Sequence, residues 1–283
     1  MKLRILFILT FCASFFPTRL AEAQEPVSAV GKFVTVNGAK IYYEEYGQGE
    51  PLILLHGFAQ TLSHWRPYIA ELSKQYRVIA WDMRGHGRST NPDTSKVFLH
   101  ATAARDLLAF LHSLHLDKVK IMGHSSDGVI ILYAASMQPD RFDAIIPMSA
   151  QVYYSDQVRE FISKNAQPEQ FYNFMELERK HGKVKGKLVA RQFYNFRELY
   201  GDPAITPDQL AKIKARTLII HGDNDFVPVS QAWEMYQHIP KARLWIVANG
   251  WHEPHVGPEN EADFIRVTLE FLRGDWDKAN LPK

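Results

Sequence analysis

The sequence predicts an α/β fold: a mostly parallel central sheet flanked by helices, with a helical lid inserted between two of its strands. Three observations carry this. Short, continuous apolar runs such as "PLILL", "YRVIAW" and "KVKIMG" recur, each followed by a stretch compatible with a helix. Continuous rather than alternating apolarity marks strands covered on both faces, the environment of a parallel sheet. The rhythm breaks only between residues 151 and 207, where no buried strand is apparent.

The first 23 residues stand apart. Lys2 and Arg4 precede an apolar stretch over residues 5–16, and Ala21-Glu22-Ala23 follows as a small-x-small cleavage signal. That is the pattern of a secretory signal peptide, with too short an apolar span for a transmembrane helix. The expected mature start is Gln24, and the expected destination is the periplasm or the exterior. The single cysteine, Cys12, lies in the leader, and Phe11 ahead of it is too bulky for a lipid-attachment site. A mature chain without thiols forms no disulfide, which is compatible with an oxidising compartment. Three of the 33 basic residues and one of the 31 acidic ones belong to the leader, leaving 30 of each. A neutral chain without basic runs gives no support for binding nucleic acid or, after signal cleavage, an anionic membrane.

Beyond the leader, "KFVTVNGAKIYYEEYG" alternates on both sides of Asn37-Gly38 and reads as a hairpin. "PLILLHG" is a strand leading to a helix over residues 63–75. "YRVIAWD" leads through a glycine-rich loop to a helix within "VFLHATAARDLLAFLHSLHL". "KVKIMGHS" leads to a helix over residues 126–137, and "FDAIIPMSA" ends a fourth unit. Residues 151–207, the lid, are rich in helix formers and aromatics, among them Tyr153, Tyr154, Phe161, Phe171 and Phe193. Most of these rings are expected to hold a small helical layer together, and a few to line a pocket. The rhythm resumes with "ARTLIIHGD", a helix around residues 231–238, "ARLWIVA" and a last helix over residues 259–272. Residues 24–150 and 208–283 therefore form the core around the inserted lid.

The residues that carry chemistry gather where strands end. "GHSSDG" follows a strand and opens a helix, the context in which G-x-S-x-G becomes a nucleophile elbow. Such a turn lifts a serine hydroxyl above the sheet edge, and the next residue donates its N–H to a developing oxyanion. Two serines compete. Centred on Ser125, the motif has Gly123 but an aspartate, Asp127, in place of the second glycine; centred on Ser126, it has Gly128 but His124 in place of the first. "LILLHGFA" ends the first parallel strand, so the N–H of Phe58 can face the same point as that of Ser126. His56 in that segment reads as a loop-ordering residue rather than a base. "GDNDFVP" offers Asp223 and Asp225, and "GWHEPH" offers His252 and His255, in the chain order of an elbow hydrolase. The histidine takes the serine proton and returns it to the leaving group, while the aspartate holds the tautomer and stabilises the imidazolium. The 12 histidines form no H-E-x-x-H or H-x-x-E-H pattern, and no metal is expected.

Together "LLHGF", "DMRGHGRS", "GHSSDG", "GDNDFVP" and "GWHEPH" carry a resemblance over about residues 32–273. The chain resembles the α/β-hydrolase fold superfamily, in its lid-bearing branch of esterases, lactonases, cofactor-free haloperoxidases and carbon–carbon bond hydrolases. The resemblance implies that the acid is the second aspartate of G-D-x-D, Asp225, and the base the first histidine of H-x-P-H, His252. It also implies that Ser125 is the nucleophile, because Gly128, Pro139 and Arg141 follow it at the family's distances. Ser126 then supplies a backbone N–H alongside Phe58. "DMRGHGRS" shapes a loop in this family, so His86 stays outside the catalytic set. Asp127 departs from the small residue usual at its position. Either it points away into the first turn of the helix, where negative charge is favourable, or it blunts or redirects catalysis.

The expected activity is cofactor-free hydrolysis of a carboxylic ester or lactone through a Ser125 acyl-enzyme. Haloalkane dehalogenases and epoxide hydrolases of this fold use an aspartate nucleophile where this chain has Ser125. Carbon–carbon hydrolases and haloperoxidases or perhydrolases share the triad and remain alternatives. So does a ligand-binding protein of the same fold, with little turnover because of Asp127. An aromatic lid, with Trp251, Tyr153 and Tyr154 expected in the pocket, suggests a small apolar or aromatic ester or lactone as substrate.

Overall fold

The computed structural model describes residues 29–278, so the leader and the cleavage point at Gln24 lie outside the described residues. β1 (Val30–Val36) and β2 (Ala39–Tyr46) pair antiparallel across Asn37-Gly38. Both turn residues have positive φ, 46° and 78°, the handedness that suits the twist of a two-residue hairpin and that asparagine and glycine tolerate.

The sheet continues with β3 (Pro51–Leu55), β4 (Arg77–Trp81), β5 (Val119–His124), β6 (Phe142–Met148), β7 (Arg216–Gly222) and β8 (Ala242–Val247). Its eight strands run in the order β1-β2-β4-β3-β5-β6-β7-β8. β2 is antiparallel to both β1 and β4, and every later pairing is parallel. The helices of the core are α1 (Arg66–Leu72), α2 (His100–Ser113) and α3 (Ser126–Met137), followed after the insertion by α8 (Pro207–Leu210), α9 (Val229–His238) and α10 (Pro258–Arg273).

Successive strand residues point to opposite faces. Ile53, Ile79, Ile121, Ile145 and Ile219 join one apolar cluster, together with Leu107 of α2 and Ile130 of α3. Leu52, Val78, Met122, Ile146 and Leu218 join the other, with Ile69 of α1 and Phe264 of α10. Both faces are apolar because both are covered, which is why these runs do not alternate. Each such fully buried side chain stabilises the fold by roughly 1.5–3 kcal/mol relative to exposure, so the strand ends form a rigid platform.

One segment departs from expectation. The segment expected as one helix over residues 63–75 is a 3-10 turn, Leu62–Trp65, followed by the short α1. Pro67, which has no N–H to give, sits in the first turn of α1, where none is needed. Between β6 and β7 the insertion forms α4 (Asp156–Asn165), α5 (Pro168–Phe174), α6 (Leu177–His181) and α7 (Lys183–Asn195). Its β structure among the described residues is an isolated bridge between Tyr153 and Ala204. Arg159 of α4 staples the two ends of the insertion, donating to the carbonyls of Tyr154, Arg197 and Leu199 at 3.1, 2.5 and 2.6 Å. Among the described residues no helix is long and apolar enough to cross a membrane.

Candidate active site

Ser125 stands between β5 and α3 with φ 54° and ψ −121°, a strained conformation for a residue with a side chain. Packing explains the tightness. A methyl group at Gly123 would meet Ile131 Cδ1 at 2.6 Å and the backbone oxygen of Asp127 at 2.9 Å. One at Gly128 would meet Ala150 Cβ at 2.9 Å and the Gly123 carbonyl at 3.1 Å. The two crowded positions are therefore Gly123 and Gly128. Asp127 occupies neither of these two glycine positions.

The Asp127 side chain is fully buried and takes a hydrogen bond from the indole N–H of Trp81 at 3.3 Å. Burial pushes its pKa well up, against the weaker opposing effect of the Trp81 bond. The sequence left it as a helix-terminus charge or a blunting one. Burial disfavours the charged form that both readings assume.

The ends of β5, β7 and β8 bring three side chains together. His252 Nδ1 lies 2.8 Å from Asp225 Oδ1, and its Nε2 lies 2.9 Å from Ser125 Oγ. With Asp225 accepting, Nδ1 carries the proton, and Nε2 is free to accept from the serine hydroxyl. Burial alone would raise the Asp225 pKa. The hydrogen-bonded imidazole of His252, with His221 and the Val227 N–H, outweighs it and holds the carboxylate below its usual range. Of the alternatives, Asp223 is exposed, and His255 is buried with its Nε2 on His64.

Several histidines that sequence reasoning set aside or passed over support this arrangement. His124 donates from Nε2 to the carbonyl of His252 at 2.7 Å, fixing the backbone of the loop that carries that ring. His56 accepts the Met83 N–H and donates to the Gly57 carbonyl. His86 accepts the Ala59 N–H at 3.1 Å and donates to the Arg84 carbonyl at 3.1 Å. His181, from α6, accepts the Gly87 N–H and donates to the Ala59 carbonyl. Burial lowers the pKa of all three, to about 3 for His56 and about 4 for His181, so each works as a neutral donor–acceptor brace. Together they set the backbone on either side of Phe58. The loop lies against the nucleophile candidate: a methyl at Gly57 would stand 3.5 Å from Ser125 Cβ.

Ser126 has a different partner. Its hydroxyl lies 3.2 Å from His100 Nε2, and His100 Nδ1 lies 2.9 Å from Asp202 Oδ2. This second Ser–His–Asp line is buried throughout and does not touch the cavity described below. It ties the end of the insertion to the first residue of α3. No local pattern announces it, since Asp202 is 102 residues from His100.

A cavity of about 710 Å³ opens beside Ser125 and His252. Phe58, Phe161, Phe171, Phe193 and Phe226 line it, with Trp251 at its edge, 72% exposed. The ring of Phe226 lies against His252 at 4.3 Å and stacks on Phe161 at 4.0 Å. Tyr153 and Tyr154 do not reach this cavity, which corrects the expectation for both. Tyr153 forms the bridge to Ala204 and gives its carbonyl to Gln231. Tyr154 is buried, stacked on Phe196 beneath the insertion. Both follow β6 too closely to climb over the site; the rings that do so come from α4, α5 and α7.

Comparison with known proteins agrees with this architecture. The family model described as the alpha/beta hydrolase fold matches residues 50–180. The chain is 27% identical over 276 residues to the 2-hydroxy-6-oxo-6-(2'-aminophenyl)hexa-2,4-dienoic acid hydrolase of Metapseudomonas resinovorans, covering 88% of this chain and 94% of that protein. It is 28% identical over 272 residues to the serine hydrolase BPHL of Homo sapiens, covering 88% and 90%. Among solved structures, the enol-lactonase from Burkholderia xenovorans LB400 superposes with a TM-score of 0.71 at 22% identity, over 86% of this chain and 100% of the other. The sheet order, the strand–turn–helix at Ser125 and these matches lead to one conclusion: the chain has the alpha/beta hydrolase fold.

Proposed function

We propose that this protein is an exported serine hydrolase that cleaves a neutral carboxylic ester or lactone through an acyl-enzyme on Ser125. The observation that carries the reading is the unbroken line from Ser125 Oγ through His252 to Asp225, with both links under 3 Å. In this mechanism His252 Nε2 takes the Ser125 proton as the oxygen attacks the carbonyl carbon. The N–H groups of Phe58 and Ser126 receive the negative oxygen of the tetrahedral intermediate. His252 returns the proton to the departing alkoxide, which leaves as an alcohol or, from a lactone, stays tethered to the acyl chain. A water then repeats the attack on the acyl-enzyme and frees the acid. The insertion acts as a lid, its Phe161, Phe171 and Phe193 closing over the acyl or alcohol group.

Lining chemistry favours a neutral substrate. Lys164 is the one Lys or Arg side chain among the cavity's lining residues, and it is exposed and paired with Glu160 at 2.5 Å. Glu253 adds an acid to the same wall. Carbon–carbon bond hydrolysis is the second reading, favoured by similarity to the dienoic acid hydrolase. Such an acid brings a carboxylate, and an enclosed carboxylate needs a cationic side chain free to pair with it, whereas Lys164 is already paired with Glu160. Asp127, the ground for expecting feeble turnover, is turned to Trp81 and is not among the cavity's lining residues, which favours the enzyme over a mere binder.

A panel of p-nitrophenyl esters, lactones and a ring-cleavage dienoic acid, assayed on the exported chain, tests the reading. Turnover of short aromatic or aliphatic esters or lactones above the dienoic acid is expected. Preference for the dienoic acid overturns the ester assignment in favour of carbon–carbon cleavage. Export is tested by fractionating cells that express the full chain; retention of an uncleaved chain in the cytoplasm would contradict it.

A further inference from the structure

Four histidines, His64, His124, His252 and His255, stand ring to ring beside Ser125, and the proposed triad uses only His252. Within this cluster His64, His124 and Glu253 each bring a ligand atom to within 4.8 Å of the other two. His124 faces the His252 carbonyl with Nε2, so that nitrogen carries the proton and Nδ1 keeps a lone pair. That Nδ1 is buried and has no hydrogen-bond partner. A buried lone pair without a donor is an uncommon loss, and a cation would satisfy it.

We infer that His64, His124 and Glu253 form a binding site for one divalent transition-metal ion of the zinc class, in the cavity wall next to the triad. Two imidazoles and a carboxylate are a donor set that Zn²⁺ and Co²⁺ accept, with a fourth position left open. The rings of His64 and His124 lie 5.3 Å apart at 15°. An outer shell that orients the ligands is already present. His124 donates its other nitrogen to the His252 carbonyl, and His64 turns its Nε2 to His255 Nε2 at 2.9 Å. His64 Nδ1 then faces Glu253 Oε1 at 3.8 Å.

The other polar groups at Glu253 are Gln60, 3.3 Å from Oε1, and Lys180, whose ammonium is bonded to Gln60 at 2.9 Å. Glu253 keeps 38% of its side chain exposed and can turn from the Gln60 amide to an ion. His124 and Glu253 both line the cavity, so the open position is within reach of a small ligand.

Titrating tag-free protein with Co²⁺, read by visible absorption, and with Zn²⁺, read by calorimetry, tests the site without reference to turnover. Saturation at one ion per chain, Zn²⁺ displacing Co²⁺, and at least a ~10-fold loss of affinity in both His64→Gln and Glu253→Gln are expected. Glu253→Gln, at a partly exposed position, keeps the test open if His64→Gln fails to fold. Absence of saturable Co²⁺ binding, or wild-type affinity in the folded variants, overturns the inference. Failure of ester hydrolysis alone would leave it standing.

Discussion

The indole N–H of Trp81 donates to Asp127 Oδ2 at 3.3 Å, while Asp127 Oδ1 is buried with no partner. Burial therefore favours the protonated form of this aspartate, immediately behind the elbow. Its folded pKa lies above its unfolded value, so the folded state keeps a proton that the unfolded chain releases. Stability from this group is full below the ordinary aspartate range and declines as pH rises toward the folded value. Asp127→Asn keeps the shape and removes the ionisation. Its thermal midpoint should exceed that of the wild type at about pH 8, and the gap should close on titration to about pH 4. Scanning calorimetry across that range checks it.

Gly128 makes the contrasting case. Its missing Cβ leaves room for Ala150 and for the Gly123 carbonyl. Gly128→Ala is expected to lower stability by about 1–3 kcal/mol, the usual penalty for overfilling a packed site. Urea unfolding at neutral pH measures it directly.

Asp225 holds His252 by one oxygen, which also accepts the Val227 N–H. In Asp225→Asn an amide N–H can face His252 Nδ1 and force the proton onto Nε2, where it blocks acceptance from Ser125. A fall of about 10⁴-fold in kcat, with the fold intact, is expected on the precedent of other triads. Steady-state kinetics on a p-nitrophenyl ester, with circular dichroism as control, provides the check.

His181 belongs to the insertion yet braces the Ala59 carbonyl and the Gly87 N–H. Its pKa is lowered to about 4 by burial, so stability from the neutral ring is full above about 6.5 and is lost as pH falls toward 4. Acid weakening should therefore begin below about pH 6.5, before the carboxylates titrate. His181→Gln should flatten that part of the stability–pH curve. It should also lower kcat more than it changes KM, because the backbone beside Phe58 loses its support.

Much of this was legible because it rests on local patterns. Asn37-Gly38 between alternating segments marks a hairpin, and runs such as "PLILL" mark strands buried on two sides. Ser125 directly follows a strand, and Asp225 and His252 lie in the loops just beyond two others, where a parallel sheet presents side chains to ligands. What escaped depends on contacts between distant segments. His181 meets Ala59 across 122 positions, and His100 meets Asp202 across 102. Tyr153 and Tyr154 were misjudged because aromatic residues serve packing and pockets alike, and only the path of the chain after β6 separates the two.

Which of the two adjacent serines is nucleophilic decides the whole account, and a fluorophosphonate probe reads it in one step. The probe should label the wild type and Ser126→Ala but not Ser125→Ala, because Ser125 alone faces His252 while Ser126 faces the buried His100. Labelling that survives in Ser125→Ala, or a wild type that takes no label, would contradict it.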